Sequence, residues 1–483
     1  MQPTSHAFRE NARAGLADPV LQRALGLART GFPARRLQAI GRLPEFEALR
    51  EEGRRIKDET LAALDFYLQR YEQSVVAAGG RVHWARDAAE ARDRVLEICR
   101  AAGARVVAKG KSMVAEEIAL NDHLEQHGIT PIETDLGEYI IQLRHEPPSH
   151  IIAPAIHLMK EQVAETFRAA HAALDPARPL AEPRQLCEEA RTVLRPRFLA
   201  AEVGITGANF LVAETGSSII VTNEGNGDLS QILPRVHIVL AGIEKIVPTF
   251  EDAATLLRLL ARSATGQEFS TYTTVSTGPR RVGDLDGPDE YHVVLLDNGR
   301  SAMLGGEFHA MLRCLRCAAC LNHCPVYAAV GGHAYGWVYP GPMGAVLTPA
   351  LVGLREAGHL PNASTFCGRC ESVCPVKIPL PNMMRHWRER EFADGLSRRA
   401  YRSGVRIWAW LAQRPRLYHA LAEAAGRLAG WFGRPRGRFR SLPFASGWTL
   451  VRDMPAPQGS TFQSLWSRRR GERQTWWRKG SSS

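Results

Sequence analysis

Seven of the nine cysteines in this 483-residue chain fall between Cys314 and Cys374, and their spacing limits what the chain can fold into more than any other feature. The first four read Cys314-Leu-Arg-Cys317-Ala-Ala-Cys320-Leu-Asn-His-Cys324-Pro325, the pattern C-x2-C-x2-C-x3-C-P. A second run, Cys367-Gly-Arg-Cys370-Glu-Ser-Val-Cys374-Pro375, repeats the last three positions, and Ser364 stands where its first cysteine would be. Only Cys99 and Cys187 lie elsewhere, which excludes a disulfide framework spread through a secreted chain.

The first run has the spacing that ligates cubane iron–sulfur clusters. Three thiolates three residues apart on a tight turn reach three irons of one cube. The fourth, one residue further on and followed by proline, points toward a neighbouring cube. A zinc site pairs two C-x2-C knuckles or adds histidines at ligand spacing, and does not need a third cysteine followed by Cys-Pro. If the crossed ligation of two-cluster ferredoxins applies, Cys314, Cys317, Cys320 and Cys374 hold one [4Fe-4S] cluster. Cys324, Cys367 and Cys370 then hold the second, one thiolate short. Three readings fit that gap. The second site is a [4Fe-4S] cluster whose last iron takes water, a nearby oxygen or nitrogen ligand or a partner's group; or it is a [3Fe-4S] cluster; or Ser364 ligates, the least favoured because neutral serine is a poor iron ligand. His309, His323 and His333 lie near in sequence and are read as ordinary histidines. Residues 331–349, dense in Gly and Pro, are expected to form an ordered loop packed by its aromatics, and not a long helix.

With 45% hydrophobic residues the chain is too apolar to be disordered and long enough for two or three domains. Within 60–75 the residues Leu61, Leu64, Leu68, Tyr71 and Val75 recur at helical spacing. From there to about residue 298, β-branched runs at 81–85, 105–108, 150–152, 209–212, 218–222, 236–240 and 291–296 alternate with helical segments such as 87–101 and 112–127. Such alternation predicts crossover connections, hence an α/β fold with a largely parallel sheet covered on both faces. Lys109-Gly110-Lys111-Ser112 is read as a turn with a Ser N-cap in preference to an anion loop. The polar turn 222–227 follows a strand, and loops at strand ends are where α/β folds bind ligands, so Glu224 and Asn226 are candidate substrate residues. No G-x-G-x-x-G follows a strand at the right place, so a nicotinamide or flavin fingerprint is missing and no catalytic residue is assigned.

The net charge of +11 is unevenly placed: residues 396–483 hold 18 Lys and Arg against 3 Asp and Glu, or +15, and the preceding residues hold 43 against 47, or −4. Seven of the ten tryptophans (Trp408, Trp410, Trp431, Trp448, Trp466, Trp476 and Trp477) share this tail. It reads as helices at 401–413 and 417–432 followed by a poorly ordered end at 454–483. An anionic membrane surface or an acidic partner suits it; nucleic acid, through phosphate attraction and base stacking, ranks last. The first 42 residues carry charge every few positions and lack the apolar core of a signal peptide. The uncharged stretch 317–354 is broken by Gly, Pro and His, a poor membrane helix. The expectation is a cytoplasmic protein, at most peripheral to the inner face of the membrane. Its expected parts are a helical segment (1–60), the α/β domain (61–300), the cluster module (301–395) and the basic tail (396–483).

The cysteine stretch, with GGHAYGWVYPGP at 331–342 and CGRCESVCPVKIP at 367–379, resembles the lactate utilization protein B family, the iron–sulfur component of the bacterial L-lactate utilization complex. The region before it, with KGKSM at 109–113, TDLGEYIIQL at 134–143, AETGSS at 213–218, TNEGNGDL at 222–229 and HIVLAGIEKIVPT at 237–249, is similar to the lactate-utilization domain that the B and C proteins of that complex share. The resemblance covers about residues 60–395 and the tail loosely. It implies an α/β fold of the sugar-isomerase and CoA-transferase type, then an α-helical ferredoxin-like module with two crossed clusters. Three thiolates at the second cluster make the serine at 364 a family feature. It also implies work with the lactate utilization subunits A and C in oxidising L-lactate to pyruvate, with electrons passing through the two clusters to an acceptor that the sequence does not name. Two alternatives stand beside it: an iron–sulfur enzyme that oxidises its own small organic acid near Glu224 and Asn226, and a nucleic-acid-binding iron–sulfur protein.

Overall fold

Ten short strands organise the α/β region in the computed structural model, which describes residues 3–442, 449 and 452–470. They are β1 (Arg81–Ala85), β2 (Val106–Lys109), β3 (Thr130–Glu133), β4 (Val203–Thr206), β5 (Phe210–Val212), β6 (Ser217–Thr222), β7 (Val236–Gly242), β8 (Ile246–Val247), β9 (Tyr272–Ser276) and β10 (Glu290–Leu296). Six form one sheet in the order β1-β10-β7-β4-β2-β3, every neighbouring pair parallel. The other four form a smaller sheet, β8-β5-β6-β9, in which β5 and β6 form an antiparallel hairpin turning at 213–216.

Both faces of the large sheet are covered, which is why its central strands read as unbroken apolar runs. Val239, Ala241, Val293 and Leu295 enter one core, and Ile238, Leu240, Val294 and Leu296 enter the other. The helix Ala88–Ala101 lies in the second core; its Asp87 cap accepts the backbone N–H of Ala89 and Glu90. The first core continues past residue 300 to Leu315, Val338, Tyr339 and Trp387, so the sheet and the cysteine region share one interior.

Several expectations are corrected. The 60–75 helix is the second of two, Phe46–Ala62 and Leu64–Ala77, separated where Ala63 leaves helical geometry. The 112–127 helix is broken at Ala119, which has φ 54°. Residues 150–152 form no strand: the buried His150 ring accepts the Ile152 and Ala153 N–H groups, folding the backbone into a turn. Residues 331–349 are not all loop. A buried helix runs Gly341–Val352, with Pro342 in its first turn, where no backbone donor is lost. Strands β3, β4, β8 and β9 have no counterpart among the expected ones.

The chain divides into two units, Met1–Asp394 and Gly395–Ser483. In the first, the helix Pro19–Gly41 reaches the cysteine region: Gln22 Nε2 donates to the Ala329 carbonyl at 2.8 Å and Arg36 Nη2 to the Val373 carbonyl at 2.9 Å. The second contains the helices Arg399–Ala412 and Pro415–Gly433 and a short ladder of Arg438–Phe439 with Met454–Pro455. Residues 462–470 are helical, against the expected poor order from 454 onward; the rest of that expectation, 471–483, lies outside the described residues. No helix among the described residues is long and apolar enough to cross a membrane.

Candidate iron–sulfur centres and an adjoining cleft

The two cysteine runs fold alike. In the first, Ala318 takes a left-handed conformation (φ 61°) and starts the one-turn helix Ala319–Asn322. In the second, Gly368 (φ 76°) does the same before Arg369–Ser372. Each turn holds two cysteines of its run close together and sends the one after the helix elsewhere. Ahead of each run the match continues. The Arg316 N–H donates to Cys314 Sγ at 3.4 Å, and the Phe366 N–H donates to Ser364 Oγ at 3.1 Å, both residues having positive φ. Ser364 therefore occupies the structural place of Cys314.

The seven cysteines separate into two cavities. Cys314, Cys317, Cys320 and Cys374 line one, with Met343, Ile378 and Leu380 among its apolar walls. Cys324, Cys367 and Cys370 line the other, together with Ser364, Tyr335 and Met384. Cys99 and Cys187 line neither. His309, His323 and His333 also line neither; each ring nitrogen meets a backbone group, of Gly305, Ala319 and Pro147 respectively.

The donor set fits a metal group. Burial pushes the Cys317 and Cys370 thiols up to about 12 and that of Cys374 up to about 11. Thiolates at that depth need a cation beside them, which the irons of a cluster would supply. Backbone donors are already aimed at the sulfurs: the Tyr327 N–H at Cys324 (3.5 Å) and the Ile378 N–H at Cys374 (3.4 Å). The Arg50 guanidinium fixes the Cys374 carbonyl with two bonds of 3.0 and 2.7 Å.

A cleft of about 230 Å³ opens at the carboxyl ends of β2 and β4. It holds both substrate candidates, Glu224 exposed and Asn226 buried. Lys111 lines it too, while Lys109 does not: its ammonium is fully buried, 2.7 Å from both Glu116 and Glu133. Ser112 caps its helix through Ala115 N–H, the preferred reading of that turn. Sequence reasoning missed two residues here, Lys245, just after β7, and Arg316, inside the first C-x2-C. Only their nearness in the fold marks them. Glu244 Oε2 pairs with Arg300 at 2.8 Å and its Oε1 lies 3.3 Å from Arg316. Burial alone would raise the Glu244 carboxyl, but Arg300, Arg316 and Lys245 outweigh it and hold it at about 2. Burial draws Lys245 down to about 8.

Family comparisons match three stretches of the chain. Residues 68–296 match the LUD domain, 310–378 the 4Fe-4S dicluster domain, and 390–471 the C-terminal domain of lactate utilisation protein B. The chain is 42% identical to lactate utilization protein B of Lysinibacillus sphaericus, over 97% of this chain and 98% of the relative. It is 40% identical to the protein of that name in Bacillus subtilis, over 98% and 99%. It is also 40% identical to an uncharacterized electron transport protein of Escherichia coli, over 96% and 97%. Among solved structures, a DUF162 family protein from Deinococcus radiodurans aligns with 48% of this chain and 98% of its own, at 15% identity and a TM-score of 0.25.

Proposed function

The chain belongs to the lactate utilization protein B family, and from that premise we propose that it is an iron–sulfur electron-transfer subunit of a complex that oxidises L-lactate to pyruvate. The observation that carries the reading is the separation of seven cysteines into two adjoining cavities. Cys314, Cys317, Cys320 and Cys374 hold one [4Fe-4S] cluster. Cys324, Cys367 and Cys370 hold a second, in a cavity that Ser364 also lines, with its last iron left to water or another non-thiolate ligand; a [3Fe-4S] cluster is the alternative there. Bound in these cavities, such clusters supply one-electron transfer. The chain's own part is to bury them, to direct backbone N–H groups at their sulfurs and to place arginines nearby, all of which set a cluster's potential.

Oxidation of a 2-hydroxy acid to a 2-oxo acid releases two electrons and two protons. A chain with no nicotinamide or flavin fingerprint therefore works with partners, the A and C proteins of the complex, one of which takes the first electrons from the substrate. The site of action is the cytoplasm. The basic second unit, with Tyr401, Ile407 and Trp408 exposed on Arg399–Ala412, supports a contact surface for those partners.

Anaerobic purification with iron and sulfide analysis and EPR spectra tests the cluster content. Lactate-driven dye reduction with and without this protein tests the role. A colourless protein that binds zinc and no iron refutes the reading, and lactate-dependent reduction of the isolated chain turns it into an enzyme in its own right.

A further inference from the structure

We propose that the cleft at the carboxyl ends of β2 and β4 is a binding site for a small organic anion, whose carboxylate or phosphate is held between Lys245 and Arg316. The site goes beyond the electron-transfer reading and does not depend on the number of clusters.

The position is one where parallel α/β sheets place ligands, in the crevice beyond the strands' carboxyl ends. Four polar groups lining this cleft lack partners. The Lys245 side chain, 8% exposed, makes no hydrogen bond or ion pair among the described residues. Arg316, its side chain 10% exposed, leaves Nη1 buried without an acceptor. Asn226 Oδ1 and Thr222 Oγ1 are buried and unpaired as well. Buried polar groups in native proteins are nearly all satisfied, so three buried orphans and an unpaired lysine on one cleft point to a ligand that supplies the missing bonds.

Charge gives the ligand its sign. The charged residues that line the cleft are Lys111, Lys245 and Arg316 against Asp135 and Glu224, an excess of one cation. Glu244 is already shared between Arg300 and Arg316 and forms no ion pair with Lys245. The cleft walls include Ile152, Ile220 and Leu260, which suit the carbon part of an organic anion and not a bare inorganic ion. A carboxylate on a small organic acid and a phosphate on a nucleotide share this chemistry.

The test is calorimetric titration of the full-length, cluster-loaded protein with four probes: L-lactate, pyruvate, inorganic phosphate and AMP. Saturable binding by the carboxylate probes, or by the phosphate probes, supports the site and tells the two sources apart. Lys245→Met should weaken that binding by about tenfold or more, the effect of one lost charge-assisted contact. Asn226→Asp, which puts a second anion at the site while leaving the lysine in place, should weaken it as well; wild-type iron content shows that each variant is folded. If Lys245 and Arg316 serve only to balance cluster charge, the wild type binds none of the probes. The proposal is overturned if no probe saturates up to about 10 mM, well above the range of ordinary metabolite affinities, or if both variants bind as the wild type does.

Discussion

Removing Arg300 should destabilise this protein more than any other single change on the sheet's carboxyl edge. Its side chain is 1% exposed and grips Glu117 with two bonds, 2.9 and 2.7 Å, while its Nε reaches Glu244 at 2.8 Å. Glu117 also accepts the Tyr339 hydroxyl at 2.7 Å, so the network fastens the α/β region to the cysteine module. In Arg300→Met, Glu117 keeps only the neutral donors Tyr339 and Asn298, and Glu244 keeps Arg316 at 3.3 Å. Breaking a buried ion pair by taking one partner costs about 3–5 kcal/mol, a large share of the roughly 5–15 kcal/mol that holds a domain together. The pH dependence follows from Glu244, held at about 2 against an ordinary 4.5. A depressed carboxylate stabilises fully above its unfolded value and loses that contribution only as pH falls through the folded one, so at pH 7 the whole loss is seen. Denaturant unfolding of the anaerobic protein at pH 7 measures it. The double variant Arg300→Met/Glu117→Gln should recover part of the loss, because one orphaned charge is gone. A single-variant cost below about 1 kcal/mol, the size of a surface pair, refutes the reasoning.

Cys317→Ser should lower iron content through the first cavity and Cys370→Ser through the second, while Cys187→Ser leaves iron unchanged; equal loss from Cys187→Ser defeats the ligand assignment. Ser364→Cys gives the second cavity a fourth thiolate, the eighth of the two together, and should slow iron loss in air, seen as slower bleaching of visible absorbance than in the wild type. Arg50→Ala frees the Cys374 carbonyl and, at about 1.5–3 kcal/mol for a bond to a charged donor, should speed bleaching of the first cluster more than the second, resolved by EPR. Burial holds His237 at about 3 against an ordinary 6.5, so it stays neutral in the folded protein while the unfolded chain takes up a proton below pH 6.5. Stability from this residue is complete above 6.5 and falls as pH drops toward 3, by about 2 kcal/mol at pH 5. His237→Gln should therefore lose less thermal stability than the wild type between pH 7 and pH 5, and an identical drop counts against it.

What could be read from the sequence was whatever short-range spacing encodes. The C-x2-C runs determine their own left-handed turns and one-turn helices, while the grouping of Cys374 with the first run needed the analogy to two-cluster ferredoxins. β7 and β10 could be read because strands buried on both faces are continuous apolar runs. β3 escaped because its four residues, Thr-Pro-Ile-Glu, include a proline, tolerable only because the strand sits at the sheet edge. β4 escaped because Gly204 interrupts it; a Cβ there would lie 1.8 Å from the Ser230 carbonyl oxygen, so close helix packing and not strand propensity chose the residue. The Gly341–Val352 helix was hidden by its composition: Gly344 is required where a Cβ would meet the Tyr339 carbonyl at 1.6 Å. Long-range partners are a different matter. Arg36 and Arg50 lie more than 300 residues from the carbonyls they hold, and Arg50 shares its helix with Arg54 and Arg55, which pair with nearby glutamates. Nothing local separates the two kinds. The same is true of Lys245 and Arg316, 71 positions apart, each unremarkable in its own motif and informative only once the fold leaves both beside one cleft with donors that meet no acceptor.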